Sequence, residues 1–487
     1  MPATQMHIKA RCGLFLDETE ASCSLDNTNE TSVSTNPIRI LHITQYCHAD
    51  SVGGTERYIL DLIRGQMHQK IDGAIGWLST RQEERLCCDG ITIYPLPGTS
   101  MQVDVPNVKL HGATVTLFDE YQPTVVHFHT FGRCEAAIAE LATQRGLPYV
   151  FSYHSPAWTC RRGDLMRFGR AICDGEVRAL RCAACKLQER IAPAHQSFAW
   201  ILALASVPIC WLAADYLSQD RRRRVAFVSD TGIFARRLRT FLEHSEVNFS
   251  CAEWSVPLLL SNGATTSSIQ LCPQGVGANF QTKPISQVLD KQHPKFVIAF
   301  IGRVVPVKGV HILLEAFSRL RQREVELRIY GWPTDLGFTD YHKKLATLAT
   351  EDGRVQLIDK LGFEAMRQEY ADIDLVCIPS IWPETGPLVL FEALNEGIPV
   401  FGSSSIGQIE LLRARGTVVE TNDVATWVAV LSEALSMHKS GSWRAVKARA
   451  LSNGEMRTMV DVAREVAFSY LKLLCKGADS NQEPYIA

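Results

Sequence analysis

Residues 296–309, FVIAFIGRVVPVKG, place a basic loop directly after an apolar run. The run Phe296–Ile301 is typical of a strand that is covered on both faces, and a helix is predicted to follow at Val310–Leu320. Arg303 and Lys308 leave the strand end together, and both side chains suit phosphate groups. Because ligands of open α/β sheets bind at the carboxyl ends of the strands, this segment predicts an anion site in a parallel sheet. For such a pair taken alone, the alternative is a solvated basic loop.

The alternation of apolar runs with helical stretches extends along the chain in both directions. In the first half, strands are predicted at Ile38–Thr44, Ala74–Leu78, Ile91–Leu96, Val125–His129, Tyr149–Tyr153, Val225–Val228 and Ile269–Pro273. In the second half, they are predicted at Glu326–Tyr330, Val355–Ile358, Leu375–Ile378 and Pro399–Phe401. Such alternation indicates mostly parallel sheets covered by helices.

The length of 487 residues exceeds one ordinary core. We therefore predict an α/β protein of two facing doubly wound Rossmann-like domains, with a C-terminal helix packing across them. The predicted parts are a disordered tail at 1–36, an acceptor-side domain at 37–273, a donor-side domain at 274–460, and a helix and tail at 461–487, the helix beginning near Met456 and ending near Leu474.

Composition excludes some classes of function. A formal net charge of −2 gives no electrostatic case for nucleic-acid binding, and 46% apolar with 21% charged residues is typical of a soluble globular chain. The first residues, Met1–Ala10, lack the basic and apolar regions of a signal peptide. A cytoplasmic protein is therefore expected, in which paired cysteines suggest metal before disulfide.

A second loop and helix follow a strand at residues 379–392, PSIWPETGPLVLFE. Glu384 precedes the predicted helix and can reach sugar hydroxyls, whereas Glu392 lies on its second turn and suits a ribose diol. Free backbone N–H groups at a helix start can bind phosphate, and here that start comprises Gly386, Pro387 and Leu388. On spacing alone, a surface helix explains the two glutamates equally well.

The motifs become specific in combination. G-R-x4-K-G, the Glu-x7-Glu segment, and G-I-P-V at 397–400 followed by Gly407-x-x-Glu410 occur in order at predicted strand ends. In these motifs the sequence resembles the GT4 family of retaining glycosyltransferases, which have the GT-B fold. The resemblance covers nearly all of Ile38–Leu474 and is strongest over Phe296–Glu410.

The resemblance implies roles for the donor-side residues. Arg303 and Lys308 would hold the diphosphate of a UDP- or GDP-type sugar, Glu384 would contact the donor sugar, and Glu392 would bind ribose. The leaving phosphate would take the acceptor proton, and no catalytic divalent metal is expected. Two positions depart from the family pattern, since Gln408 stands where a second glycine is usual and Gly277 where Asp or Asn often follows Gly-Val.

The same resemblance covers the first domain. Gly53 and Gly54 match its glycine-rich loop, whose backbone N–H groups would meet the donor phosphate or an anionic acceptor. His154 matches a strand-end histidine that points at the donor sugar, although Ser155 replaces the usual Asp. His127 and His129 also lie near a strand end, and we expect them to be core residues rather than catalytic ones.

A cysteine-rich insertion is predicted at 155–195. Cys160, Cys173, Cys182 and Cys185 form C-x12-C-x8-C-x2-C, which fits tetrahedral zinc with four sulfur ligands. An iron–sulfur cluster and two disulfides are the alternatives. A subset of bacterial GT4-like proteins is similar in having such an insertion after the strand-end histidine. The prediction is a structural zinc site.

Ser197–Ala214 carries no charge, and Arg221–Arg224 follow shortly after it. The length meets the minimum for a membrane span, but Pro208 divides the segment and a span would split one sheet. We expect helices that are buried or lie on a membrane surface, where the arginines would meet anionic headgroups.

The sequence thus predicts a retaining transferase that moves a sugar from a nucleoside diphosphate to an acceptor hydroxyl, in polysaccharide or glycolipid assembly. The acceptor would be a carbohydrate or a lipid-linked molecule, and the protein cytoplasmic, with peripheral contact at the inner face of the membrane. A nucleotide-sugar epimerase or hydrolase and a non-catalytic assembly scaffold are the alternatives.

Overall fold

The computed structural model describes residues 37–45, 53–79, 84–98, 107–188, 227–277, 295–333, 339–451 and 456–479. The tail at 1–36 and the hydrophobic segment Ser197–Ala214 with Arg221–Arg224 lie outside these described residues. Within them, no helix has the length and apolar character that a membrane span requires.

The first domain is built on an eight-stranded sheet. Its strands are β1 (Arg39–Thr44), β2 (Asp72–Ser79), β3 (Leu86–Cys88), β4 (Ile91–Pro97), β5 (Val125–Phe128), β6 (Tyr149–Tyr153), β9 (Val247–Ser250) and β10 (Ile269–Leu271). Their order is β10-β9-β6-β5-β1-β2-β4-β3, and each neighbouring pair is parallel except β3 with β4. The helices around it are α1 (Gly54–Met67), α2 (Asn107–Tyr121), α3 (Arg133–Gln144), α5 (Phe227–His244) and α6 (Ser255–Ser261). The strand order reverses between β1 and β5, which is where such sheets bind ligands.

A small hairpin and a helix are inserted after β6. They comprise β7 (Met166–Arg167), β8 (Ala171–Ile172) and α4 (Ala179–Gln188). This insertion carries the four predicted zinc ligands.

The second domain has a six-stranded parallel sheet. Its strands are β11 (Phe296–Ile301), β12 (Val325–Trp332), β13 (Val355–Asp359), β14 (Leu375–Ile378), β15 (Val400–Ser403) and β16 (Thr417–Val419), in the order β13-β12-β11-β14-β15-β16. Its helices are α7 (Val310–Ser318), α8 (Asp340–Glu351), α9 (Phe363–Glu369), α10 (Leu388–Asn395), α11 (Ile409–Arg415), α12 (Val424–Lys439) and α13 (Trp443–Leu451). Here the strand order reverses between β11 and β14, so the loops after these two strands meet at one edge.

The chain passes between the domains twice, side by side. Val276 pairs with Thr458 in an isolated parallel bridge. The last helix, α14 (Met459–Asp479), then packs against α1 of the first domain, and its fully buried residues Val462, Ala463, Val466 and Tyr470 join the core there. The predicted helix thus begins three residues later than expected and returns to the first domain.

Several elements differ from the prediction, since the short strands β3, β7, β8 and β16 were not predicted, and two further differences have a physical reason. Val225–Val228 was predicted to be a strand, but Phe227 begins α5, and residues 225–226 lie outside the described part of the chain. A short apolar run does not distinguish a strand from a buried helix. The strand Val247–Ser250 escaped prediction because Asn248 and Ser250 are polar, although both are fully buried.

Candidate active site

The two donor-side motifs meet at the edge between β11 and β14. Lys308, in the loop after β11, lies with its Nζ 2.6 Å from Oε1 of Glu384, in the loop after β14. The Ser380 hydroxyl donates a hydrogen bond to the same oxygen. Glu384 is only 5% exposed, so this carboxylate depends on its partners. The fold therefore brings Lys308 and Glu384 into contact.

The tight turn that presents Lys308 requires the glycine after it. Gly309 has φ of 72°, in the left-handed region, and precedes the first residue of α7. A Cβ at this position would collide with the carbonyl oxygen of Pro379 in the neighbouring loop. The K-G pair of the motif thus allows the two loops to pack together.

The charge of Glu384 is set by opposing effects. Burial alone raises the pKa of this carboxyl, but the ammonium of Lys308, with hydrogen bonds from Lys308 and Ser380, outweighs burial and holds the pKa below its ordinary value. Arg303, from the same loop as Lys308, is exposed. The site therefore presents one buried carboxylate, one cation bound to it, and one exposed guanidinium.

Glu392 lies on α10, facing the first domain. The Tyr370 hydroxyl donates a 2.8 Å hydrogen bond to its Oε2. Burial raises the pKa of Glu392, the charge of Arg57 on α1 and the Tyr370 hydrogen bond act in the opposite direction, and the balance lies above the ordinary value. Glu392, the predicted ligand of the ribose, therefore lies where charged and polar groups of both domains influence the pKa of its carboxyl.

The two predicted phosphate-binding helix starts face each other across the domains. Pro387 is the N-cap of α10, so the helix begins at Leu388, one residue later than predicted. A Cβ on Gly54, at the start of α1, would lie 3.8 Å from the side chain of Leu388. Gly53 is covered by the carboxylate of Glu56 from its own helix.

Gly386 and the Gly407-Gln408 pair fill the space between these loops. A Cβ on Gly386 would lie 3.0 Å from Nε2 of Gln408. That amide nitrogen donates to the carbonyl oxygens of Cys251 (2.8 Å) in the first domain and of Thr385 (2.9 Å) in the second. The family departure at Gln408 is thus a bridge between domains, which the sequence motif did not reveal.

Two further hydrogen bonds cross the same interface. Trp254 Nε1 donates to the carbonyl oxygen of Glu384 at 2.8 Å, and the Thr385 hydroxyl donates to the carbonyl oxygen of His154 at 2.6 Å. The loop that carries Glu384 is therefore fixed by first-domain residues after β6 and β9. In this arrangement the domains are closed on each other.

His154 reaches the donor-side loop through its backbone. Its Nε2 lies 3.0 Å from Nδ1 of His129, and its Nδ1 lies 3.8 Å from Sγ of Cys251. On its other side, Nε2 of His129 lies 2.9 Å from Nδ1 of His42. The ring of His154 thus belongs to a buried row of imidazoles, and its carbonyl contacts Thr385.

His127 and His129 are fully buried core residues, as the sequence suggested. The ring nitrogens of His127 lie 2.5 Å from the Tyr470 hydroxyl and 2.8 Å from the Ser152 hydroxyl. His42, within β1, joins them, and one nitrogen from each of these three histidines lies within 4.8 Å of the others. The only sequence signal for His42 was its place inside an apolar strand.

Burial keeps these imidazoles neutral. It lowers the pKa of His42 and of His154 to about 3, and it holds those of His127 and His129 well below the ordinary value. The row is therefore a neutral, hydrogen-bonded part of the core. The tautomer of each ring determines whether the facing nitrogen of its neighbour donates or accepts.

The second departure from the family pattern, Gly277, has a steric explanation. A Cβ there would lie 2.9 Å from Nη2 of Arg57 and 3.0 Å from Oδ2 of Asp61. These two residues form an ion pair on α1. An Asp or Asn side chain at 277 would displace that pair.

A cavity of about 710 Å³ lies between the domains beside the Glu384 loop. Trp254 lines it from the first domain, and Gln408 and Glu410 line it from the second. The cysteine-rich insertion supplies a third wall, with Ile172, Cys173 and Asp174. Most of the remaining lining is apolar.

The four predicted zinc ligands lie in this insertion as free thiols. Cys160 precedes the β7–β8 hairpin and Cys173 follows it, while Cys182 and Cys185 lie one turn apart on α4. The two-disulfide alternative is not formed. Burial raises the pKa of Cys185 to about 11 and also raises those of Cys173 and Cys182.

Two protein-family models match the chain. Residues 52–186 match the family described as Glycosyltransferase Family 4, and residues 281–448 match the family described as Glycosyl transferases group 1. The matches fall in different domains and together span more than half of the chain.

Curated relatives match over shorter segments. The D-inositol 3-phosphate glycosyltransferase of Salinispora arenicola is 31% identical over 151 residues, which is 29% of this chain and 33% of the relative. The protein of the same name from Mycolicibacterium smegmatis is 32% identical over 155 residues, 31% of this chain and 35% of the relative. The chain therefore spans about a third of the length of the curated relatives it matches.

Solved structures match over nearly the whole chain. Anabaena HepE in complex with UDP and glucose has a TM-score of 0.58 at 16% identity, covering 89% of this chain and 99% of that chain. Sucrose-phosphate synthase from Thermosynechococcus elongatus has a TM-score of 0.62 at 14% identity, covering 90% and 100%. At these identities the likeness concerns the fold, and it confirms the predicted GT-B architecture. The first domain is thus similar to the family described as Glycosyltransferase Family 4, and the second domain to the family described as Glycosyl transferases group 1.

Proposed function

We propose that the protein transfers a sugar from a nucleoside diphosphate sugar to an acceptor hydroxyl, with retention of the anomeric configuration. The observation that carries the proposal is the 2.6 Å pair of Lys308 with Glu384 at the point where the strand order of the second sheet reverses. Buried, paired charge at that edge is costly for a purely structural loop and suits a polar ligand.

Each charged group has a role in this proposal. Arg303 and Lys308 neutralise the diphosphate, so that the site needs no divalent ion for that purpose. Glu384 accepts hydrogen bonds from sugar hydroxyls, and Glu392 accepts them from the ribose. The helix start at Leu388 adds backbone N–H groups toward the phosphates.

In the proposed reaction the bond between the anomeric carbon and the phosphate oxygen breaks, while the acceptor oxygen bonds to that carbon from the same face. The acceptor proton passes to the leaving phosphate oxygen, so the products are the glycoside and the nucleoside diphosphate. The protein's contribution is charge stabilisation and positioning. Domain contacts through Trp254, Thr385 and Gln408 favour exclusion of water from this step.

The donor and acceptor belong to the same proposal. HepE has been crystallised with UDP and with UDP-glucose, which supports a nucleotide-sugar donor of UDP or GDP type. WaaG, a further structural neighbour, is involved in lipopolysaccharide biosynthesis, which supports a carbohydrate or lipid-linked acceptor in polysaccharide or glycolipid assembly. A cytoplasmic protein at the inner face of the membrane would meet such an acceptor, with Ser197–Ala214 as its contact. Cys160, Cys173, Cys182 and Cys185 would form a structural metal site in this protein.

The test is release of nucleotide from a panel of UDP-, GDP- and ADP-sugars, with and without lipid-linked acceptors. Turnover of one donor that an acceptor increases, with retained configuration in the product by NMR, supports the proposal. An Arg303→Ala, Glu384→Gln double variant should lose turnover. The matched control is Arg319→Ala, which removes an exposed arginine paired with Glu315 elsewhere in the same domain.

Two outcomes would contradict it. Conversion of the donor without any acceptor product would favour an epimerase or hydrolase. Absence of both binding and turnover across the panel would favour the non-catalytic scaffold.

A further inference from the structure

The cysteine-rich insertion holds an irregular backbone with little apolar core at its centre. Its own buried cluster comprises Phe168 and Ala184. Leu165 and Phe168 both have φ near 50°, in the left-handed region that costs non-glycine residues energy. The hairpin strands contain only two residues each. Such a segment needs a further constraint to keep one conformation.

The backbone is already arranged around two of the thiols. The Phe168 N–H group donates to Sγ of Cys185 at 3.1 Å, and the Arg178 N–H group donates to Sγ of Cys182 at 3.4 Å. Backbone amides directed at sulfur favour the thiolate, which is the form that binds metal, and so act against the burial that raises the pKa of both thiols.

Three arginines surround the thiols and are incompletely satisfied. Nε of each is buried with no hydrogen-bond partner among the described residues, and the three are Arg161, Arg162 and Arg181. Arg161 interacts electrostatically with Cys160 and Cys182, and Arg181 interacts with Cys173 and Cys182. A buried donor without an acceptor costs about 1–3 kcal/mol. Their Nη groups already pair with Asp230, Asp164 and Asp174, and negative charge on the sulfurs would compensate the remaining Nε donors.

We propose that Cys160, Cys173, Cys182 and Cys185 bind one Zn²⁺ ion in a closed, structural site. Four thiols lose four protons to solvent and coordinate the ion, which gives a centre of net charge −2 beside the three arginines. In the described structure, no three of these sulfurs lie within 4.8 Å of one another. Binding therefore has to draw α4 and the hairpin together.

The ion would fix one wall of the interdomain cavity. Cys173 lies between Ile172 and Asp174, and all three line that cavity together with Trp254 and Gln408. A fixed wall here would shape the acceptor side of the cleft. This role rests on the proposed transferase function, whereas the metal site stands independently of it.

The test is the zinc content of the full-length protein, measured by mass spectrometry after purification without chelators. One zinc per chain is expected for the wild type and for Cys87→Ser, a control that changes an exposed cysteine outside the insertion. A Cys182→Ser, Cys185→Ser double variant should contain none. Trypsin should cut the exposed Arg167 and Arg170 of the hairpin at least tenfold faster after zinc removal.

Several results would overturn the proposal. They are a wild type without zinc, zinc retained by the double variant, or iron and sulfide with visible absorption in place of zinc. Binding of nucleotide to the donor-side domain serves as the folding control for the double variant. Zinc without turnover would refute only the transferase proposal, and turnover without zinc would refute only the metal site.

Discussion

Acidification is expected to destabilise the first domain steeply, because four buried imidazoles would have to accept protons. Burial lowers the pKa of His42 and His154 to about 3 and holds those of His127 and His129 well below the ordinary value. An unfolded histidine titrates near 6.5. Between about pH 6.5 and 3 the unfolded chain therefore binds protons that the folded domain does not, so this stability is present above pH 6.5 and is lost as the pH falls.

The size of the effect follows from the number of groups. Each neutral imidazole costs about 1.4 kcal/mol per pH unit below 6.5, or roughly 2 kcal/mol by pH 5. Four such groups remove about 8 kcal/mol, which is comparable to the whole stability of an ordinary domain, about 5–15 kcal/mol. Burial raises the pKa of Glu135, so that carboxyl opposes the trend in part. We expect the first domain to unfold near pH 5 to 4.

The assay is urea unfolding of the full chain at half-unit steps from pH 7 to pH 5. The wild-type free energy should fall by about 5 kcal/mol per pH unit once all four rings titrate. His42→Leu removes one ring whose Nε2 is buried and has no partner in the described structure, so the slope should decrease by about 1.4 kcal/mol per pH unit. The control His111→Gln changes an exposed histidine on α2 and should leave the slope unchanged.

Two results would refute this reasoning. One is a wild-type free energy of unfolding that falls by less than about 1.4 kcal/mol per pH unit, the slope for one proton, over this pH range. The other is a His42→Leu slope equal to that of the control, since the buried ring would then not be the group that resists protonation.

Three further predictions concern the site. Lys308→Met leaves Glu384 buried without its cation, so the free energy of unfolding at pH 7 should fall by about 3–5 kcal/mol. The loss should shrink at lower pH, where the carboxyl is protonated, and urea unfolding at several pH values measures it. A loss that does not change with pH would contradict the pairing. Gln408→Gly, which restores the family residue, removes two hydrogen bonds at the domain interface. A loss of about 1.4 kcal/mol of binding free energy would raise the donor KM about tenfold, with kcat less affected. An unchanged KM would argue against the bridge. Gly407→Ala places a Cβ 2.5 Å from the Glu384 carbonyl oxygen and should cost about 1–3 kcal/mol, visible in both Tm and kcat/KM; a neutral effect on both would show that the loop shifts freely.

The fold was largely predictable because its strands are continuous apolar runs. Tyr149–Tyr153, Phe296–Ile301 and Leu375–Ile378 occur at the predicted bounds, since buried parallel strands leave a short uninterrupted pattern. Val247–Ser250 was missed because its polar side chains form hydrogen bonds inside the core, such as that from Asn248 Nδ2 to the Leu242 carbonyl oxygen. Such hydrogen bonds depend on tertiary contacts that spacing does not encode.

The residues of the site that belong to sequence motifs were predictable, whereas those that act through distant tertiary contacts were not. Lys308 and Glu384 lie on loops after adjacent strands, so a motif read along the chain is enough to bring them together. His42 and Trp254 had no such signal, because each matters through a partner far away in sequence. The His154 ring likewise contacts His129 and its carbonyl oxygen accepts from Thr385, two tertiary contacts without a signal in the sequence, and its role toward the donor sugar stays a prediction.

The Lys308–Glu384 pair has a consequence for how a donor would be held. While Lys308 stays 2.6 Å from the buried Glu384 carboxylate, part of its charge is neutralised there and only the remainder acts on a diphosphate. The exposed Arg303 and the backbone N–H groups at Leu388 then have to supply much of the attraction, and α1 faces that helix start from the other domain. Donor binding would therefore depend on closure of the domains as well as on the second domain's motif, which is why the proposed transferase needs both halves of the chain for tight donor binding.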